Sequence, residues 1–171
     1  DISDLQYSRK QINTINNYNK FIQFSRVPGP RKGISVIDFD DTLAFSDSMI
    51  IVKWKDGNLT KMTPAEFAEQ YARDYEALLE RGYEFDFTEF NKVKNGKKGP
   101  FFNRAKSLKD KFGNKDIFIL TARPQKSAPA IRAFLAGVGL DIKLENIVGL
   151  EDGRPKAKAD WILSKVAEGY N

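Results

Sequence analysis

Three aspartates, Asp38, Asp40 and Asp41, stand within four positions directly behind an apolar run, in the stretch ISVIDFDDTLAFSD. Carboxylates that meet at the end of a buried strand repel one another, and each loses most of its hydration. A countercharge is therefore required: a divalent cation, a Lys or Arg, or a shared proton. The chain contains no histidine and no cysteine. That removes imidazole acid–base chemistry, His and thiolate metal sites and Ser-His-Asp arrangements together. Hard oxygen donors alone point to Mg²⁺. Asp38 and Asp40 are two apart, a spacing that turns both the same way at a strand end. One can then attack phosphorus while the other handles the leaving-group proton. Read this way, the cluster is half of a Mg²⁺ site, completed by a bound phosphoryl group. A plainer reading has Asp40 and Asp41 shaping the next turn and Asp38 paired with a lysine.

Such a cluster needs a rigid platform. Residues 34–38, 117–120 and 147–150 are short apolar runs that read as buried strands. Between and after them lie helical patterns. Phe101, Phe102, Ala105, Leu108 and Phe112 make one stripe, and Ile131, Phe134 and Leu135 face inward from a helix over 127–136. A last helix is expected from about Pro155 to Ala167. Strands alternating with helices predict an α/β fold, a doubly wound parallel sheet. Ligands of such sheets sit beyond the carboxyl ends of the strands. Asp38 ends the first strand, Thr121 ends the second, and Lys156 or Lys158 begins the last helix. Thr42 shapes the acid turn. Arg123, two residues after Thr121, either reaches a phosphate or leans on the segment inserted after the first strand.

That insertion spans about 43–100. It opens with a hairpin turning at Asp56-Gly57. A helix follows with Thr63 as N-cap, Pro64 at its first position and Glu66 closing a capping box. Its stripe is Phe67, Tyr71, Tyr75 and Leu78, and Gly82 ends it; irregular connection follows. Trp54, between Lys53 and Lys55, either stacks a base or belongs to a strand with a cationic edge. Phe85, Phe87 and Phe90 read as packing. Charge is unevenly spread: residues 34–90 hold 5 basic and 13 acidic side chains, and residues 91–115 hold 9 basic and 1 acidic. The basic block suits an anionic substrate or partner, or is a solvated face. Residues 1–32, rich in asparagine, read as an arm or linker. With no cysteine, no signal-peptide pattern and no long apolar run, the protein is expected to be soluble and cytoplasmic, with no membrane partner.

The three stretches ISVIDFDDTLA, DIFILTARP and GRPKAKADWI resemble, in order, the first three motifs of the haloacid dehalogenase (HAD) superfamily. The resemblance covers residues 34–168. It implies a Rossmannoid core over 33–171 with a cap insertion at about 43–100, and Mg²⁺ held by Asp38 and by the Asp40 backbone carbonyl. Asp38 would be the nucleophile forming an aspartyl-phosphate. Asp40 would protonate the leaving oxygen and then activate water. Thr121 would hydrogen-bond the phosphoryl group, and Lys158, preferred to Lys156 for its spacing from Trp161-Ile162, would neutralise charge. The superfamily's fourth motif, an acidic pair after a further strand, has no counterpart here, since only EGYN remains after Ala167. The core is then incomplete at its carboxyl end. The intact protein is expected to continue past Asn171, and the segment alone to bind Mg²⁺ weakly and be a poor phosphatase. The implied activity is a Mg²⁺-dependent phosphomonoesterase acting on a phosphorylated substrate, whether a nucleotide, a nucleic-acid end or a sugar phosphate. The alternative is a HAD-like module within a larger structural or virion polyprotein, with weak or no catalysis. Receiver domains and Toprim folds match less well, lacking the required third-strand Asp and preceding Glu.

Overall fold

The computed structural model describes residues 32–71 and 74–170, apart from the side chain of Ala68. The arm expected at 1–32 lies outside them except for Lys32. Contacts divide the chain into two compact units, Ser35–Ala157 and Asp1–Ile34 with Lys158–Asn171.

In the first unit the elements run in chain order as β1 (Ser35–Ile37), β2 (Ala44–Phe45), β3 (Ile50–Lys53), β4 (Leu59–Met62), α1 (Pro64–Gln70), α2 (Tyr75–Glu80), β5 (Glu84–Asp86), β6 (Lys97–Lys98), α3 (Phe102–Phe112), β7 (Ile117–Thr121), α4 (Ala128–Gly137) and β8 (Ile147–Gly149). A last helix, α5 (Pro155–Ala167), contains the division between the units.

The protein is mixed α/β, built on a parallel three-stranded sheet of order β1-β7-β8. Ile37 stands opposite Ile119, and Ile119 opposite Ile147. β7 is buried along its whole length, as expected of a strand covered on both faces. The core joins Ile37, Ile119 and Ile147 to Phe102 and Ala105 of α3 and to Ile131 and Leu135 of α4. The expected stripe of α3 is narrower than its sequence suggests. Phe101, at the N-cap, and Phe112, at the last position, are 41% and 66% exposed.

The insertion carries its own antiparallel sheet, order β4-β3-β5, over a second core of Ile50, Val52, Met62 and Phe90. The capping box at Thr63 forms as expected: the Thr63 hydroxyl accepts from the Glu66 N–H, and the Glu66 carboxylate accepts from the Thr63 N–H. The single helix expected after it is two helices, because Tyr71 closes α1 with φ −127°. Eight residues of straight helix would set Phe67 and Tyr75 about 12 Å apart along the axis. With the break, their rings come to 6.0 Å, and Phe67, Tyr71 and Tyr75 all pack on Phe85. The stretch read as irregular is β5, a short 3₁₀ turn over Thr88–Asn91 and β6. These are strands of two or three residues, too short for a period of two to be legible.

In the second unit, the Lys32 N–H donates to the Gly169 carbonyl at 3.2 Å, and the Lys32 ammonium lies 5.0 Å over the Tyr170 ring. Among the described residues no helix is long and apolar enough to cross a membrane.

Candidate active site

Asp38 leaves the end of β1 half-buried, and its Oδ1 accepts the N–H of Phe39 at 2.8 Å. The chain then winds around one carbonyl. The Phe39 oxygen accepts from the N–H groups of Thr42, Leu43 and Ala44 at 3.4, 2.9 and 3.0 Å. Phe39 and Leu43 are the buried anchors of this turn, at 0% exposure. Asp41 takes a left-handed φ of 59° and is exposed, a conformation that aspartate tolerates better than most residues. It is a turn residue, as the plainer reading of the motif held.

The partner of Asp40 comes from the loop after β7. Arg123 is 2% exposed. Its Nη2 donates to Asp40 Oδ1 at 2.7 Å and to Ser46 Oγ at 2.7 Å. Nε donates to Asp40 Oδ2 at 2.9 Å. Nη1 donates to the carbonyls of Lys92 and Phe90 at 2.7 and 3.2 Å. All five guanidinium N–H groups are thereby used. The plane is flanked by Phe39 and Phe90, whose ring centroids are 5.1 and 4.9 Å away. Of the two roles open to Arg123 from sequence, the geometry is that of a residue leaning on the insertion, and it supplies the countercharge of Asp40.

Thr121 sits at the end of β7, fully buried. Its hydroxyl oxygen accepts the Arg123 N–H at 3.1 Å and lies 3.5 Å from Asp40 Oδ2. Thr121 thus braces both members of the fork. The loop that carries Arg123 is pressed on β8. A Cβ on Gly149 would lie 2.6 Å from the Arg123 carbonyl and from Gln125 N, so only glycine admits this approach. The Leu150 and Glu151 N–H groups complete the attachment, donating to the carbonyls of Thr121 and Arg123 at 2.9 and 3.2 Å.

The acid turn is zipped to the basic segment. Ala44 pairs with Lys98 and Phe45 with Lys97. The Thr42 and Leu43 carbonyls accept from the Phe101 and Gly99 N–H groups at 2.9 and 2.8 Å, and the Asp47 N–H donates to the Lys94 carbonyl at 2.8 Å. Glu89 ties the same region to the insertion's sheet. Its carboxyl is held below the usual carboxylate range, first by the Met49 N–H at 2.9 Å, then by Lys61 and Lys94.

Asp38, Asp40, Thr121 and Arg123 are therefore brought together at the carboxyl ends of β1 and β7. Beside them, a cleft of about 530 Å³ is lined by Asp40, Asp41, Ser46, Asp47 and Thr63. The three aspartates do not converge on one point: among the described residues no three acidic side chains gather closely enough to hold a metal ion. Lys156 and Lys158 lie in the first turn of α5, Lys156 exposed and Lys158 half-buried, and Lys158 belongs to the second unit. Trp54 is a strand-end packing residue, its ring tilted against Tyr83 with centroids 5.3 Å apart and its indole N–H donating to Thr60. Ser46 and the carbonyls of Phe90 and Lys92 carried no signal in the sequence, since a backbone acceptor has no residue type to recognise. No family model, curated protein or solved structure matches the chain.

Proposed function

We propose that the protein is a Mg²⁺-dependent phosphohydrolase of the HAD type, with a doubly wound core, acting through a phosphorylated Asp38. The observation that carries the reading is the placement of Asp38 and Asp40 just beyond β1, with Asp40 beside Thr121 at the end of β7, on adjacent parallel strands. The donor chemistry fits the ion. Asp38 offers a carboxylate oxygen, and the Asp40–Ala44 bridge uses the carbonyls of Phe39 and Ala44 rather than that of Asp40. Asp38 and the Asp40 carbonyl would hold Mg²⁺, which when bound supplies charge neutralisation at the phosphoryl oxygens.

The chain's own residues do the rest. An Asp38 oxygen attacks phosphorus, and the ester P–O bond breaks as the leaving oxygen takes a proton from Asp40. Asp40 then withdraws a proton from water, the water oxygen attacks phosphorus, and Asp38 is released with inorganic phosphate. Thr121 orients the phosphoryl group by its hydroxyl; Lys158, expected from the sequence to balance its charge, belongs to the second unit. Arg123 positions Asp40.

A second reading is favoured by the Arg123 fork itself. A guanidinium already balances Asp40, so the acid turn can serve as a staple between sheet and insertion in a module with weak or no catalysis. Hydrolysis of an aryl phosphate by the purified protein, with and without Mg²⁺, separates the two. Phosphatase function requires Mg²⁺-dependent turnover that disappears in Asp38→Asn. Turnover that survives this substitution, or none in the wild-type protein, favours the staple.

A further inference from the structure

We infer that the lysine-bearing segment zipped to the acid turn is a docking track for a single-stranded nucleic acid, whose phosphorylated end it delivers to Asp38. The inference rests on the proposed phosphohydrolase reading and names its substrate class. Four lysines, Lys92, Lys94, Lys97 and Lys98, fall within seven residues, and all are exposed. Arg104 extends the row on the exposed side of α3. Among the described residues Lys92, Lys97, Lys98 and Arg104 have no carboxylate within 4 Å, and Lys94 has Glu89 at 3.7 Å. Lys98 lies 4.7 Å over the Phe102 ring; a row of exposed cations with one carboxylate among them is an electrostatic footprint for an external anion.

Its position identifies the anion. β6 pairs with β2, which begins one residue beyond the acid turn, and the Lys94 carbonyl holds Asp47. The cations therefore flank the proposed phosphoryl site instead of lying in it. A small phosphate ester bound at Asp38 would leave them unused, whereas a chain of phosphates leading away from the site would meet them in turn. Two exposed aromatic rings accompany the row. Phe45, 47% exposed, stands opposite Lys97 and so shares its face; Phe101, 41% exposed, precedes α3. Bases of a single strand stack on such rings whatever their sequence, and the combination of a cationic track with aromatic platforms is what sequence-tolerant strand binding requires. A duplex would keep its bases stacked internally and leave both rings without a partner.

The test is fluorescence anisotropy of a fluorescein-labelled oligothymidylate over a series of salt concentrations. The full chain carrying Asp38→Asn is used, so that binding is read without turnover. Four lysine contacts, each releasing roughly 0.7 counterion, predict a slope of log affinity against log salt near about −3. Lys97→Glu with Lys98→Glu should weaken binding at least ~tenfold and flatten the slope. Phe45→Ala with Phe101→Ala should weaken it at least ~fivefold with the slope kept, the signature of lost stacking. Arg132→Glu with Lys143→Glu, an equal change of charge on α4 and in the loop that leads to β8, should leave binding as it was. Circular dichroism checks that each variant is folded. No binding, equal loss in the Arg132/Lys143 control, or equal displacement by polyglutamate or by anionic phosphatidylserine vesicles would overturn the inference. Aryl phosphate hydrolysis by the wild-type protein is scored separately: its absence removes the phosphatase reading, while the track is decided by the anisotropy.

Discussion

Removing Arg123 should do more damage than any other single change near the site, and the size of the effect can be worked from its contacts. Arg123→Met keeps the buried stem and deletes the guanidinium. Four groups lose the guanidinium: the Asp40 carboxylate, the carbonyls of Phe90 and Lys92, and the half-buried Ser46 hydroxyl, which turns to water. Breaking a fully buried ion pair by removing one member costs about 3–5 kcal/mol. Asp40 keeps 26% of its side-chain surface in water, so rehydration reduces that share to about 2 kcal/mol. Each hydrogen bond lost at the two carbonyls adds about 1 kcal/mol, the Lys92 carbonyl keeping the Ser48 hydroxyl at 3.3 Å. The sum is about 4 kcal/mol, a large part of the ~5–15 kcal/mol that holds a domain together. It corresponds to a fall in Tm of about 10 °C for a chain of this size.

The assay is urea unfolding of wild type, Arg123→Met, Asp40→Asn and the double variant. The coupling between the two positions should be about 1.5 kcal/mol or more, because each substitution alone strands a charge that the double variant does not contain. Arg123→Lys should recover less than half of the loss, since an ammonium cannot present a fork to Asp40 and reach both carbonyls as well. Hydrogen exchange adds the spatial readout. Amides of residues 88–94 should lose protection before those of β7, because Arg123 joins the insertion to the sheet and is not itself part of β7. A coupling under about 0.5 kcal/mol, or loss spread evenly over the sheet, would refute the fork as a structural tie.

Two further changes test the attachment of the acid turn. A Cβ on Gly99 would lie 2.5 Å from the Thr42 carbonyl and 2.8 Å from the Ala44 nitrogen; both are backbone, so Gly99→Ala must push β6 away from the turn. It should destabilise by about 1–3 kcal/mol, measured by thermal unfolding, and shift the amide resonances of 40–45. Glu89 has its carboxyl below the ordinary glutamate range, chiefly through the Met49 N–H and then Lys61. A depressed carboxyl contributes stability above its unfolded pKa and loses it as the pH falls through the folded value. Glu89→Gln should therefore be less stable than wild type near neutrality, and the gap should close on acidification below about 4.5. Urea midpoints across pH decide it, and a gap that stays constant would count against the assignment.

What was legible in the sequence is what is written locally. The three strands of the parallel sheet are apolar runs, of which only β7 is buried throughout, the Thr63 helix start is a capping box, and the acid motif is a spacing of three aspartates. Each depends on residues a few positions apart. The break between α1 and α2 was not legible, because the surface that Phe67, Tyr71 and Tyr75 share is Phe85, which approaches from β5. Nor were the partners of Arg123. Two of them are carbonyls more than 30 positions earlier in the chain, aligned only when the insertion folds back over the sheet.

The crowding of negative charge at the end of β1 admitted a metal ion, a basic side chain or a shared proton as its remedy, and for Asp40 the fold supplies the basic side chain. That has a consequence for chemistry. Both oxygens of Asp40 are engaged by Arg123, one at 2.7 Å and the other at 2.9 Å, and the same guanidinium grips the insertion at Ser46, Phe90 and Lys92. An Asp40 that gives a proton to a leaving group must present an oxygen lone pair that the fork does not occupy, or turn out of the fork. Turning out releases Arg123 from its carboxylate partner and weakens its hold on the insertion. Proton transfer at Asp40 and the seating of the insertion are then linked through one side chain, so anything that binds the insertion more tightly in one seating biases the acid–base group as well. Weakening the fork by Arg123→Lys should for that reason change the pH profile of turnover as well as its rate, whereas a purely structural arginine would lower the amount of folded protein and leave the profile where it was.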